Sequence, residues 1–272
     1  MTAERRRWVQ TEALPALSVV LLGVLGLGFY VWQTRPAASQ LAAVPIPAPA
    51  PLPAGPLGAS IRLGRQLVAR TPQLARGYVG GALSCADCHL RDGRQAYAAP
   101  LAGLSGAFPA WNRRAGRVIT LAERINECFV RSENGRPLPA TGRRMTAFLA
   151  YIAWLSRGVP AGDSVVGRGF APLPRLAHAA NARAGARVYH THCASCHGGN
   201  GAGQPPMIPP LWGAQAYNQG AGMNHVRKMA AFVLRFMPLG QGGSLTAQQA
   251  ADVSAYVHSQ PHPPFPAKYA RY

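Results

Sequence analysis

Apolar positions recur at helical spacing through most of the chain. Ile61, Leu63, Gly64, Leu67 and Val68 form one stripe, in which the glycine permits close crossing of a first and a last helix. That last helix is predicted from Met145 to Ser156, with Phe148, Tyr151, Ile152 and Leu155 turned inward. Between the two, Leu121, Ile125 and Cys128 are spaced by four and three and share one helical face. The plan then repeats. Ala184 to Tyr189 opens a second unit, and Ala255-Tyr256-Val257 echoes Ala150-Tyr151-Ile152. The pattern predicts an all-α fold from an old duplication, with units at 58–157 and 178–260, a linker at 158–177 and an irregular tail at 261–272.

Ahead of these units the pattern changes twice. Residues 1–35 read as a membrane anchor or signal segment. Arg5, Arg6 and Arg7 precede an uncharged run from Ala13 to Trp32, and twenty helical residues rise roughly 30 Å, enough to cross a bilayer core. Ala37-Ala38-Ser39 would serve as a cleavage site, whereas Phe29, Tyr30 and Trp32 resemble an interfacial belt and favour a retained anchor. Either way the remainder is expected on the periplasmic side of a bacterial cytoplasmic membrane. Seven prolines between Pro36 and Pro56 then predict an extended linker over 36–57, spanning roughly 60 Å.

Charge narrows the partners. Twenty-eight Lys and Arg against nine Asp and Glu give a net +19, a field that draws anions. No recognisable nucleic-acid module accompanies it, so nucleic acid is the weaker choice and small anions the stronger.

The cysteines supply the chemistry. Four of the five fall into Cys85-Ala86-Asp87-Cys88-His89 and Cys193-Ala194-Ser195-Cys196-His197, each the attachment signature of a c-type haem. In such a unit the thiols form thioethers and the adjacent histidine is placed to ligate the iron. A zinc site would normally join two such pairs in one centre, and a thioredoxin-like pair does not require the histidine. The fold expected is therefore two tandem cytochrome c-type domains with two covalently bound haems.

Cys128 is left over, in the segment Phe108 to Leu138. Between His89 and Gly158 there is no further histidine, no lysine and one methionine, Met145. Either Cys128 or Met145 ligates the first iron, or that face is open. A buried free cysteine acting as a small hydrophobe is the bland alternative. Arg124, Cys128 and Ser132 lie one helical turn apart and would present guanidinium, thiolate and hydroxyl in one row. Arg113, Arg114, Arg117 and Arg131 stand nearby against Glu123, Glu127 and Glu133, forming a candidate anion site.

These residues carry a resemblance. Tyr78-Val79-Gly80-Gly81-Ala82-Leu83-Ser84-Cys85 through Gly93, together with Phe108 through Leu138, resemble the dihaem thiosulfate dehydrogenases, tetrathionate-forming c-type cytochromes. The likeness covers most of residues 58 to 260. It implies that Cys128 is the second ligand of an active-site haem, and that Arg114, Arg124 and Ser132 bind substrate or assist turnover. Some relatives carry lysine just before the methionine of the second haem; here that position is Phe236, which argues against lysine ligation.

In the second unit, Pro209-Pro210-Leu211-Trp212-Gly213 resembles the loop that in cytochromes c supports the proximal histidine through a proline carbonyl. Met237-Pro238, after an apolar helix, is the expected distal ligand, and His197 the proximal one. His225 and Lys228 read as solvent-side residues, and His190 and His192 as surface. Thiolate ligation lowers an iron potential and methionine raises it, so sulfur chemistry is expected at the first haem and outward electron transfer at the second, towards an acceptor cytochrome or other redox protein. The rival readings are a membrane-tethered electron carrier and a haem subunit of a sulfur-oxidation complex.

Overall fold

The structure, a computed structural model, describes residues 43–272. The anchor or signal segment at 1–35, its cleavage site and the start of the proline stretch lie outside the described residues. Among the described residues no helix is long and apolar enough to cross a membrane.

The first half is built on α1 (Gly55–Ala69), α2 (Leu121–Arg131) and α3 (Arg143–Leu155). Gly64 is where α1 and α3 cross: a Cβ there would stand 2.1 Å from the Ala147 carbonyl oxygen and 2.6 Å from the Tyr151 Cβ. Leu67, Val68, Phe148, Tyr151 and Ile152 close the core around that crossing. In the second half α4 (Ala182–His192) crosses α6 (Ala247–His258) in the same way, with α5 (Val226–Phe236) packed against α6. Here Gly185 is the contact, and its Cβ would lie 1.9 Å from the Asp252 carbonyl oxygen. The first helix begins at Gly55, inside the expected linker, because Pro56 at its first turn presets helical φ.

Two short ladders qualify the all-α expectation. Ala43–Val44 (β1) pairs in parallel with Ser164–Val165 (β4), and Ala110–Asn112 (β2) pairs antiparallel with Arg117–Ile119 (β3). The first of these bears on the extended linker expected over 36–57. The Val166 amide donates to the Val44 carbonyl at 2.7 Å and Ile46 packs on the first core, so the described part of the proline stretch lies against the first half.

The halves are joined by more than the linker. Asn218, fully buried, donates to the Val130 carbonyl at 2.8 Å and to Asn134 Oδ1 at 3.2 Å, and the Ala82 amide donates to the Gln215 carbonyl at 2.9 Å. Leu83 of the first half sits in the second-half core beside Tyr189 and Trp212. The tail also packs: Phe265 lies 4.2 Å beneath the Arg131 guanidinium.

Gly64→Ala and Gly185→Ala test the crossings. Each is expected to cost about 3 kcal/mol because backbone, not a movable side-chain tip, occupies the space. Thermal unfolding of the holoprotein should fall by roughly 5–10 °C for either variant.

Candidate active site

The first Cys-x-x-Cys-His turn is fixed from three directions. Thr71 donates its hydroxyl to the Leu67 carbonyl at 2.8 Å and accepts the Cys85 amide at 3.0 Å, tying the turn to the end of α1. Ser84 and Asp87 cap each other reciprocally. The His89 Nδ1 is 2.5 Å from the Ala99 carbonyl oxygen, which leaves Nε2 free as a ligand. Ala99 is itself held, since its amide donates to Gly169 and that of Tyr97 to Gly167, at 2.8 and 2.7 Å. The linker is thus a brace for the histidine loop.

Helix α2 carries the opposite wall. Thr120 accepts the Glu123 amide and the Glu123 carboxylate accepts the Thr120 amide, so a capping box starts the helix at Leu121. Helical geometry persists to Ser132 at its end, and the predicted row of Arg124, Cys128 and Ser132 is present. Arg124 Nη1 lies 3.2 Å from Cys128 Sγ.

Both walls face one cavity of about 520 Å³. Cys85, Cys88 and His89 line it, as do Cys128, Arg124 and Ser132. Met145, the other candidate ligand in this half, is fully buried in the core and is not on the cavity wall. Arg113 and Arg114 reach the cavity from the β2–β3 turn. The segments that carried the resemblance are zipped together here: Gly80 donates to the Glu133 carbonyl and Arg136 to the Tyr78 carbonyl, at 2.9 and 3.0 Å.

A haem suits this space. The walls include Val68, Leu101, Phe129, Phe148 and Ile152. Six buried side-chain polar atoms lack a partner among the described residues, and four of them, Glu127 Oε1, Arg131 Nε, Glu133 Oε2 and Tyr217 Oη, belong to residues lining this one cavity. Orphans concentrated in one cavity are the mark of a polar-edged group that belongs there. Burial is the main reason that the Cys85 and Cys88 thiols and the Glu133 carboxyl sit above their ordinary pKa ranges and that His89 sits below. The Arg124 guanidinium is held more firmly charged, chiefly by Cys128.

The second turn is built alike. His197 Nδ1 lies 3.0 Å from the Pro209 carbonyl oxygen, the proline support expected from the loop. Gly203, at φ +62°, allows that loop to close, for its Cβ would come within 2.6 Å of the Pro209 carbonyl oxygen. Cys193 and His197 are half-buried, Cys196 is exposed, and none of the three lines the first cavity. Met237 is half-buried at the end of α5. His190 and His192 are exposed, as expected.

Several site features were not read from the sequence. Glu127, 3% exposed, accepts from Asn112 Nδ2 at 2.9 Å and faces Arg124 Nη1 at 3.5 Å. Asn112 Oδ1 in turn accepts the Arg114 and Ala115 amides at 2.9 and 3.1 Å, shaping the turn that carries Arg114. The pairing of a hairpin asparagine with a helical glutamate fifteen residues on leaves no periodic trace. Arg168 and Phe170 of the linker, and Met223 and Lys228 of the second half, also line the cavity. Lys228, expected on the solvent side, is exposed yet opens on this space.

Two haem-binding turns in two pseudo-equivalent helical domains, each with its histidine oriented by a backbone carbonyl, define a dihaem c-type cytochrome. Residues 79–161 match the SoxA/TsdA cytochrome c domain, and residues 180–257 match the family described as cytochrome c oxidase, cbb3-type, subunit III. The chain is 42% identical to the thiosulfate dehydrogenase of Allochromatium vinosum, over 82% of this chain and 86% of that one, and 39% identical to that of Stutzerimonas stutzeri, over 79% and 71%. It belongs to the thiosulfate dehydrogenase family. Among solved structures, the thiosulfate dehydrogenase TsdBA from Marichromatium purpuratum in its as-isolated form superposes with a TM-score of 0.75 at 40% identity, covering 83% of this chain and half of that longer one. Two cytochrome c domains carry two covalently bound haems.

Asn112→Ala tests the clasp that shapes the arginine turn. It removes the bond to Glu127 and both turn bonds, and should cost about 2 kcal/mol. Amide hydrogen exchange at Arg114 and Ala115 should accelerate while that of α3 stays slow.

Proposed function

We propose that the first half oxidises two thiosulfate dianions and joins them as tetrathionate, while the second half passes the electrons to an acceptor redox protein. The observation that carries this reading is the Cys128 sulfur on the wall of the His89 cavity, with a guanidinium 3.2 Å away. Cys85 and Cys88 would attach the first haem, and His89 and Cys128 would hold its iron. Cys193, Cys196, His197 and Met237 would do the same for the second. When bound, the two irons supply one-electron acceptors.

The chain's own residues address a charge problem. Two dianions about 4 Å apart repel by about 4 kcal/mol even at the dielectric of water, a factor of about a thousand in rate. Arg114 and Arg124 offer planar forks that stay charged and grip a sulfonate by paired hydrogen bonds, leaving its outer sulfur pointing inward. Ser132 adds a hydroxyl donor one turn from Cys128. Arg124 stands beside Cys128, and Glu127 keeps both arginines in place through Asn112 and by its own charge. The balance is simple: one bond forms between two outer sulfurs, two electrons leave, and no proton moves. The net +19 charge speeds arrival of such anions, most of all at low salt.

We further place the protein on the periplasmic side of the cytoplasmic membrane, held by residues 13–32 or released if that segment is cleaved. Support comes from the sequence of that segment and from covalent haem attachment, an export-side process.

Purified holoprotein should be reduced by thiosulfate, followed at the haem bands, and should turn over with an artificial acceptor to yield tetrathionate. Cys128→Met should retain two haems, change the spectrum and lose nearly all turnover. Arg124→Gln should lower kcat/KM roughly tenfold to a hundredfold. Full thiosulfate oxidation by Cys128→Met would refute the cysteine's role; a wild-type protein that accepts and donates electrons without consuming thiosulfate is a carrier instead.

A further inference from the structure

The reaction proposed above needs two anions at once, and the first half offers Arg114 and Arg124 on the wall of the cavity for one of them. The second half closes the same cavity. Its helix α5 brings Lys228 to the wall, in the company of Met223.

Three features of Lys228 need explanation. It makes no ion pair and no side-chain hydrogen bond among the described residues, although it faces a cavity that also holds Glu127 and Glu133. It stands close enough to Arg114 and Arg124 for their charges to depress its ammonium, after burial, which contributes most. It is also exposed, so it is reachable from solvent. A lysine kept only for solubility would turn away from two arginines, of which Arg124 has a carboxylate partner in Glu127 and Arg114 has none among the described residues, because like charges repel. Here α5 fixes its Cα on the cavity rim: Met229, the next residue, is buried in the second core, and the Lys228 amide donates to the His225 carbonyl at 2.9 Å. The repulsion is relieved when a dianion sits among the three cations.

We propose that Lys228 is the cation of a second sulfur-oxyanion subsite, holding one thiosulfate while Arg114 and Arg124 hold the other. The active site is then shared by the two halves. A lysine suits this role, since a compact ammonium on a flexible stem can follow an anion that arrives second and departs as part of a larger product. The buried Asn218 contacts fix the distance between the subsites.

This inference rests on the thiosulfate reading for its ligand, but it can be tested apart from turnover. Electrochemically reduced holoprotein cannot accept electrons, so thiosulfate only binds. Calorimetric titration should give two thiosulfates per wild-type chain and one for Lys228→Gln, with Lys228→Arg restoring two. In steady state, Lys228→Gln should raise the half-saturating thiosulfate concentration roughly tenfold or more, while the haem spectrum and thermal midpoint stay unchanged. Binding of one thiosulfate by the wild type, or of two by Lys228→Gln, overturns the proposal. Two bound anions in a wild type that shows no turnover would remove the catalytic reading and leave the second subsite standing.

Discussion

A guanidinium held 3.2 Å from a sulfur within one helical turn is the contact on which the rest of this molecule depends. Arg124 lies on the same helix as Cys128, so the pairing survives any small shift of α2 as a whole. Glu127 restrains the arginine from the other side. The capping box at Thr120 sets where the helix starts, and so which side chains form the row. Fold and chemistry meet in the thirteen residues from Thr120 to Ser132.

The duplicated plan explains how one scaffold makes two different redox centres. Each half crosses its first and last helix at a glycine and steadies a histidine with a backbone carbonyl. Asymmetry enters through what surrounds those shared parts. In the first half the segment after the haem turn folds into a hairpin and a helix that bring arginines and a cysteine inward. In the second, the corresponding space holds a proline loop and an apolar helix ending at Met237. A thiolate ligand lowers an iron's potential and a thioether raises it, so with the proposed ligation by Cys128 and Met237 the same helical frame would yield a site for chemistry and a site for export of electrons.

Much of this was readable beforehand, for reasons that can be named. Local rules expose local facts. The helical stripes, the glycine at the α1–α3 crossing, the two haem turns and the row of Arg124, Cys128 and Ser132 all depend on residues within a few turns of one another. The proline carbonyl behind His197 was also accessible, through the wording of its loop. What escaped depends on distant partners. The short strand at Ala43–Val44 exists because Ser164–Val165 lies beside it, over a hundred residues away, and an isolated pair of such length would not hold in water. The linker and the tail looked like spacers because prolines and glycines carry no periodicity, yet the linker braces the Ala99 loop and the tail sits beneath Arg131. Lys228 was assigned to solvent for the same reason. Its own helix gives its exposure correctly, and only the other half of the chain reveals what that exposure faces.

The concentration of cations around the cavity has a cost that clarifies its purpose. Arg113, Arg114, Arg124, Arg131, Arg168 and Lys228 all reach its walls, against Glu127 and Glu133, the latter with its pKa pushed upward by burial. Pairing each cation with a carboxylate would be the stabilising choice for a protein that only had to fold. Arg124 is paired with Glu127 and Arg131 is bonded to the Gly220 and Tyr272 backbone oxygens, while the packing of the two halves around Asn218 and Leu83 holds the remaining cations, and their mutual repulsion, in place. A dianion entering the cavity relieves it, and two dianions relieve more of it while being pressed towards each other. The same positive walls thereby lower the barrier to bringing two repelling anions into contact.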